Sequence, residues 1–196
     1  MNSLTVRIVH DSAPESPRTW DHLGIIAGFH PRYTIGDRDP GGLLDGGTIS
    51  PDDYNGWDEM RTDLLRRDAV WVKPIYLYDH GGLSISTRSF VGRAQHGSWD
   101  SGQVGFTFTT RERMKEFLSK TRLTNKTRET VDRLLEAGVE EYNQFMTGDV
   151  YAYLIEDEAG NVVDTCGGYY GLDVVREEAA DQIAWFVKNE LNVSYD

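Results

Sequence analysis

The sequence has very little cysteine and no long apolar stretch. Cys166 is the only cysteine among 196 residues, which excludes the internal disulfide framework that holds many small secreted proteins together. No apolar run reaches the roughly 20 residues that a membrane-spanning helix needs. The N-terminus, MNSLTVRIVHDS, lacks the basic and then apolar regions of a signal peptide. These absences predict a cytoplasmic protein without a membrane partner.

Motifs for metals and cofactors are also missing. None of the five histidines forms an i, i+4 pair on a predicted helix or a His-x-His pair on a predicted strand, so no metal site is expected. The glycine-rich stretch GGLLDGG (41–47) lacks the Lys-Ser/Thr pair of a phosphate-binding loop. The sequence therefore predicts no metal and no cofactor.

Negative charge is abundant, and it is unevenly distributed. The net charge is −12, and residues 124–196 hold 16 acidic and 5 basic side chains. A basic stretch at 111–128 is the local exception, and its charges suit a solvated helical face or a contact with phosphate groups. The overall acidity nevertheless predicts that nucleic acid is not the direct partner. An acidic excess in the last third is typical of a solvated helical face or of a surface that meets a partner.

Hydrophobic periodicity predicts an α+β fold with an antiparallel, possibly mixed, sheet and helices packed on one face. Alternating or continuously apolar runs predict strands near 4–9, 70–78, 83–89, 103–109, 150–156 and 161–166. Helical spacing predicts helices near 51–66, 126–146 and 173–190, with a short additional helix after Thr110. Pro74 cannot donate a ladder hydrogen bond, so its strand is expected at an edge or with a bulge.

The length suits one domain, which we predict to cover residues 1–196. Residues 10–50 are rich in Gly, Pro and Asp and are predicted to form a long irregular segment.

The stretch VWVKPIYLYDHGGLSISTRSF (70–90) raises the question of catalysis. Asp79 and His80 stand between two strand-like runs and precede Gly81-Gly82. A carboxylate can orient an imidazole as a general base, but Asp and Gly are also typical of a turn. We predict the polar tip of a hairpin rather than a catalytic pair, and the sequence offers no convincing catalytic residues.

Two sets of residues are candidates for binding. The first is an acidic face for a partner: Glu129, Asp132, Glu136, Glu140, Glu141, Glu177, Glu178 and Asp181. The alternative is a pocket where the turns 79–82 and 97–102 converge, formed by Tyr76, Asp79, His80, Ser84, Ser86, Trp99, Asp100 and Ser101. Such a pocket would take a small molecule such as a nucleotide signal, with Arg88 or Arg93 for its phosphate.

Several blocks resemble a family of small proteins of tailed phages and prophages. The blocks are WDHLGIIAGFHPRYTIGD (20–37), WVKPIYLYDHGGLSIST (71–87), GSWDSGQVGF (97–106) and YNQFMTGDVYAYLIED (142–157) with DTCGGYYG (164–171). The family has no established reaction that transfers to these residues.

The phage setting implies action in the cytoplasm of an infected bacterium, where small acidic proteins are often inhibitors of host defence. We therefore expect an anti-CRISPR or antirestriction type of protein, which binds a bacterial protein or complex without catalysis. The alternative is a protein that binds or cleaves a nucleotide signal.

Overall fold

The computed structural model describes residues 4–37, 40, 42, 44 and 47–190. In chain order the strands are β1 (Thr5–His10), β2 (Ile25–Gly28), β3 (Ile35–Gly36), β4 (Ala69–Asp79), β5 (Leu83–Ser86), β6 (Ser101–Thr110), β7 (Val150–Glu156) and β8 (Val162–Tyr170). The α-helices are α1 (Trp57–Arg66), α2 (Arg111–Leu118), α3 (Asn125–Thr147) and α4 (Leu172–Glu190). The strands pair antiparallel, and the predicted α+β class is confirmed.

The chain divides into two compact units. One contains the residues up to Ser16 and those from Gln144 on, and the other contains Pro17–Asn143. We call them the smaller unit and the larger unit. The prediction of one domain over 1–196 stays a prediction.

The smaller unit is a three-stranded sheet with a helix packed on one face. The strand order is β1-β7-β8. Val175 and Ala179, one turn apart on α4, are buried against Tyr153 and Ile155 of β7. Tyr153 and Ile155 point to the same face because side chains alternate along a strand. This apolar contact sets the position of α4 on its sheet.

The larger unit is a five-stranded sheet in the order β3-β2-β6-β4-β5. Met60 and Leu64 of α1 pack with Phe106 and Phe108 on one face. Val131 and Leu135 of α3 belong to a separate cluster with Leu23 and Met114.

The two helices α1 and α3 lie on opposite faces of this sheet. Val72 of β4 belongs to the α1 cluster, whereas its neighbours Trp71 and Lys73 hydrogen-bond to α3. The prediction of helices packed on one face therefore fits the smaller sheet and needs correction for the larger one. The reason is that β4 is apolar or partnered on both faces, so it supports a helix on each side.

The sequence predicts a long irregular segment at 10–50, and the described residues of this region include two short strands, β2 and β3. Strand β2 lies between β3 and β6. Ile25, Ile26 and Ala27 are all buried. A short strand that is covered on both faces shows no alternation, which is the usual sequence signal for a strand.

The first long helix begins later than the predicted residue 51. Ser50 does accept a hydrogen bond from the backbone N–H of Asp52, as expected of a cap, but it caps only a 3-10 turn, Pro51–Asp53. Gly56, with φ of 117°, then precedes α1. A backbone conformation of this kind suits glycine and interrupts a helix.

Pro74 lies at a strand position with an edge and a bulge beside it, as the sequence predicted. It is opposite Phe106 of β6, and β5 pairs only with residues 76–79 of β4. Pro74 therefore has a strand neighbour on one side only, and a register irregularity follows between Ile75 and Tyr76. Among the described residues, no helix combines the length and the apolar character required to cross a bilayer.

Candidate binding surface at the end of the β4–β5 hairpin

The stretch around Asp79 and His80 is a hairpin tip, as predicted. Asp79, the last residue of β4, pairs with Leu83, the first residue of β5. The N–H of His80 donates to the carbonyl of Gly82 at 3.2 Å. Gly81 has φ of 72°, a conformation that glycine adopts without steric cost. The tip is therefore built from local turn chemistry.

The two turns considered for the alternative pocket meet at Asp100. Its carbonyl accepts from the N–H of Asp79 at 2.9 Å, and its Oδ2 atom lies 2.9 Å from Nδ1 of His80. Because a carboxylate only accepts, Nδ1 carries the proton and donates. Nε2 is then the ring nitrogen left for another partner, on a side chain that is 48% exposed.

This histidine–carboxylate pair has one feature of a general base and lacks another. Asp100 holds the imidazole of His80 in one tautomer, as an orienting carboxylate does. Within the described contacts, however, no hydroxyl or thiol group hydrogen-bonds to His80. In the part of the chain that the structure describes, no group of three His, Cys, Asp or Glu side chains is arranged to hold a metal ion.

Asp79 interacts with the 29–33 loop instead of with His80. Its Oδ2 atom accepts from Arg32 at 2.6 Å and from the hydroxyl of Tyr33 at 3.3 Å. The Arg32 guanidinium lies 5.1 Å from the centre of the Tyr33 ring, which also stacks on His30 at 4.8 Å. The 29–33 loop is thereby fixed beside the hairpin.

The loop 87–100 is anchored to the hairpin by stacked rings. Phe90 stacks on Tyr78 at 5.3 Å, and the Tyr78 hydroxyl donates to the carbonyl of Gln95 at 2.8 Å. His96 lies 5.6 Å from His80, ring centre to ring centre. In the turn that ends this anchored loop, just before β6, Trp99 is 87% exposed. A large apolar side chain is therefore held in water by a fixed backbone.

We call the residues of these two turns and of the adjoining 29–33 loop that lie at this end of the sheet the hairpin-end surface. Its members are Arg32, Tyr33, Asp79, His80, His96, Trp99 and Asp100. Sequence reasoning had Asp79, His80, Trp99 and Asp100 in one candidate set, but it missed the other three. The missing three carry no local signal, because their neighbours in space are distant in sequence.

The remaining members of the alternative pocket lie along β4 and β5 and in the 97–101 turn. Tyr76 pairs with Ser86 along the hairpin, and Ser84 pairs with Tyr78. The Ser101 hydroxyl donates to the carbonyl of Gly97, which closes the 97–101 turn. The structure brings Asp79, His80 and Asp100 together, and Ser86 lines a separate cavity; the pocket itself stays a prediction.

The predicted acidic face is divided between the units. On α3, Asp132 accepts from Lys73 and from the Trp71 indole at 2.8 Å each, and Glu136 accepts from Lys73 at 2.8 Å. These two carboxylates hold α3 to β4, and the single positive charge of Lys73 offsets part of their negative charge within the unit.

The pKa values of this ion-pair group follow from competing causes. Burial alone would lower the pKa of Lys73, but its hydrogen bonds to Asp132 and Glu136 outweigh burial and raise it. Burial alone would raise the pKa of Asp132, but hydrogen bonds from Lys73 and Trp71 lower it. Both shifts favour the charged pair.

The other acidic candidates form no such ion pair among the described contacts. Glu129 and Glu140 are exposed on α3, and Glu141 is half-buried at the wall of a cavity of about 350 Å³. Glu177, Glu178 and Asp181 are exposed on α4 in the smaller unit.

Comparison of the chain with protein-family models, with curated proteins and with solved structures finds no significant match. The function is therefore inferred from the surfaces described above.

Proposed function

We propose that this protein binds a macromolecular partner through the hairpin-end surface and acts by occupying that partner, without turnover. The observation that carries the proposal is Trp99, which is 87% exposed in the turn that ends an anchored loop. Tryptophan, tyrosine and arginine dominate the binding energy of protein interfaces. Arg32 and Tyr33 extend the surface with the other two of these residue types.

The geometry also favours binding because the surface is preorganised. The contacts of Tyr78 with Phe90 and Gln95, and of Asp100 with Asp79 and His80, fix the loop before any partner arrives. A fixed loop loses little conformational entropy on association, which leaves more of the contact energy for affinity.

The His80–Asp100 hydrogen bond has a structural role in this proposal. It joins the β4–β5 turn to the turn that presents Trp99. A role in positioning requires no nucleophile and no metal ion.

Following the resemblance to phage proteins, we propose that the partner is a component of a bacterial defence system and that the protein acts in the cytoplasm of the infected host. Effectors of such systems that hold nucleic acid expose Lys and Arg to the phosphates. The exposed carboxylates of Glu177, Glu178 and Asp181 would speed the encounter with a basic surface of this kind.

The test is affinity capture from extract of an infected host with the full chain as bait, followed by measurement of binding to the purified partner. Trp99→Ala should reduce affinity at least about 30-fold, as expected for loss of a hot-spot residue. Trp185→Ala is the matched control, since Trp185 is also exposed but lies on α4. Equal affinity of wild type and Trp99→Ala, or a selective loss in Trp185→Ala, would overturn the proposal.

Turnover is tested on the same purified partner. We expect the partner to be recovered with unchanged mass after prolonged incubation. A modified partner, with modification abolished in a His80→Ala variant that still binds and keeps its melting temperature, would show that the protein is an enzyme.

A further inference from the structure

A second cavity of the larger unit, of about 390 Å³, lies where the chain leaves β5 and runs beside α3. Three arginines line it: Arg88, Arg93 and Arg133. The hydroxyl-bearing Ser86 and the carboxylates of Glu136 and Glu140 line it as well. The volume falls at the small end of the range for ligand pockets.

Some arginines of this unit have a close carboxylate partner, but within the described contacts these three do not. Four others each form an ion pair with an aspartate at 2.6–3.0 Å: Arg18, Arg32, Arg67 and Arg111. The shortest described approach within the cavity is 3.9 Å, between Arg88 and Glu136. Glu136 itself already accepts from Lys73 at 2.8 Å.

Arg93 is also held in place. Its guanidinium donates to the carbonyls of Arg88 and Ser89, at 3.4 Å each, and lies 6.0 Å from the centre of the Phe90 ring. Arg133 is exposed on α3, and the described contacts give it no ion pair. Three guanidinium groups without a close carboxylate partner among the described contacts line one concavity of a chain with a net charge of −12. They suit an anionic ligand.

The carboxylates in the wall restrict the kind of anion. Guanidinium groups match phosphate oxygens in pairs of hydrogen bonds. Glu140 would repel a bare phosphate ion, but its oxygens accept hydrogen bonds from hydroxyl groups. A ligand that carries both a phosphate and neighbouring hydroxyls satisfies the two kinds of side chain.

We propose that the cavity bounded by Arg88, Arg93 and Arg133 binds a small phosphorylated ligand with a hydroxylated carrier, such as a nucleotide or a sugar phosphate. This site is separate from the hairpin-end surface and does not depend on the proposed function. The phosphate would contact the arginines, and Glu140 would accept from the hydroxyls.

Calorimetric titration of the full chain tests the site with four probes: AMP, ribose 5-phosphate, adenosine and inorganic phosphate. We expect AMP and ribose 5-phosphate to bind more tightly than adenosine and inorganic phosphate. Tighter binding of AMP than of ribose 5-phosphate would identify a nucleotide, and equal binding a sugar phosphate.

Arg133→Ala should weaken AMP or ribose 5-phosphate binding about tenfold or more, since a charge-assisted hydrogen bond is lost. Arg128→Ala is the matched control, because it removes the same charge from another exposed position of α3. Both variants should keep the melting temperature of the wild type.

Glu140→Ala tests the second half of the proposal. Its affinity ratio for ribose 5-phosphate over inorganic phosphate should fall about tenfold, since recognition of the hydroxyls is lost, whereas relief of repulsion acts on the phosphate of both probes. Glu129→Ala should leave the ratio unchanged.

Three results would overturn the proposal: no binding of any phosphorylated probe, equal effects of Arg133→Ala and Arg128→Ala, or tighter binding of a single-stranded oligonucleotide than of both AMP and ribose 5-phosphate. The last result would identify a nucleic-acid contact. None of the three bears on Trp99, so this site and the proposed function succeed or fail separately.

Discussion

The two units of this chain use charge in different ways. The smaller unit has 13 acidic and 3 basic side chains, whereas the larger unit has 19 and 17. In the larger unit, ion pairs such as Arg18–Asp37 and Lys73–Asp132 join separate elements of the fold. In the smaller unit acidic side chains outnumber basic ones, and we expect this excess of negative charge to act outward on other molecules. The chain thus has charges that stabilise the fold through ion pairs and charges that form a net negative surface.

The largest expected effect comes from breaking the most buried ion pair. Arg18 and Asp37 have side chains only 8% and 16% exposed, and Asp37 also accepts from the backbone N–H of Ile26 at 2.7 Å. Arg18→Ala leaves a buried carboxylate unpaired and should lower the free energy of unfolding of the larger unit by about 3–5 kcal/mol. Urea denaturation measures the loss.

The matched control is the exposed pair Arg7–Glu156 of the smaller unit, at 2.8 Å. Arg7→Ala should change the free energy of unfolding by about 0–1 kcal/mol, because water screens the pair. Similar losses in both variants would contradict the division between structural and outward charge.

Lys73→Met gives an intermediate effect. The substitution leaves Asp132 and Glu136 without their shared cation. Since both carboxylates are about one-third exposed, solvent screening limits the expected loss to about 1–2 kcal/mol. Arg128→Ala, which removes an exposed cation from α3 without a described ion pair, is the control.

The sign of the pH dependence follows from the shifted pKa values. The lowered pKa of Asp132 stabilises the fold above the ordinary Asp value of 3.8, and this contribution is lost as the pH falls through the folded-state pKa. The raised pKa of Lys73 stabilises the fold below 10.5, and this contribution is lost as the pH rises through the folded-state value. The difference between wild type and Lys73→Met should be largest between these limits and should shrink in acid. A constant difference down to low pH would show that Met alters packing rather than charge.

Sequence reasoning found most of the fold but only part of the site. A nearly continuous apolar run identified β4, and periodicity identified β6, α3 and α4, because long elements carry an extended signal. The acidic face on α3 was inferred from the same helix, yet the sequence contains no sign that Lys73, some 60 residues away, pairs with two of its members.

The site residues show the same limit. Asp79, His80, Trp99 and Asp100 were candidates because turns are recognisable from Gly and Asp. Arg32 and Tyr33 were missed, since only the tertiary fold brings the 29–33 loop to Asp79. Contacts between distant segments are therefore what the sequence did not reveal.

Outward charge should affect binding rate more than stability. Replacing Glu177, Glu178 and Asp181 with Gln, Gln and Asn should slow association with a basic partner about tenfold or less, with little change in dissociation, because these carboxylates steer the encounter. The effect should disappear at high salt as screening shortens the Debye length.

Replacing Glu136, Glu140 and Glu141 with Lys is the comparison for α3. We expect this variant to lose stability, since Glu136 forms an ion pair with Lys73. A slower association caused by the α3 variant but not by the α4 variant would place the steering charges in the larger unit.

The smallest expected effect is a gain in stability. Gly138 lies within α3, and a Cβ atom there would meet no other atom within 4 Å. Gly138→Ala should raise the free energy of unfolding by about 0.5–1 kcal/mol through helix propensity alone. Gly24→Ala is the contrast, since its Cβ would lie 2.6 Å from a methyl group of Leu135, and a lower melting temperature is expected. Loss of stability in Gly138→Ala would show that the cavity of about 350 Å³, which Gly138 lines, does not admit a methyl group.

Hydrogen exchange of the complex tests whether the partner binds the hairpin-end surface. We expect binding to slow exchange in peptides covering residues 29–33 and 95–102, while peptides of α4 change little. Protection confined to residues 172–190, with unchanged exchange around Trp99, would contradict it.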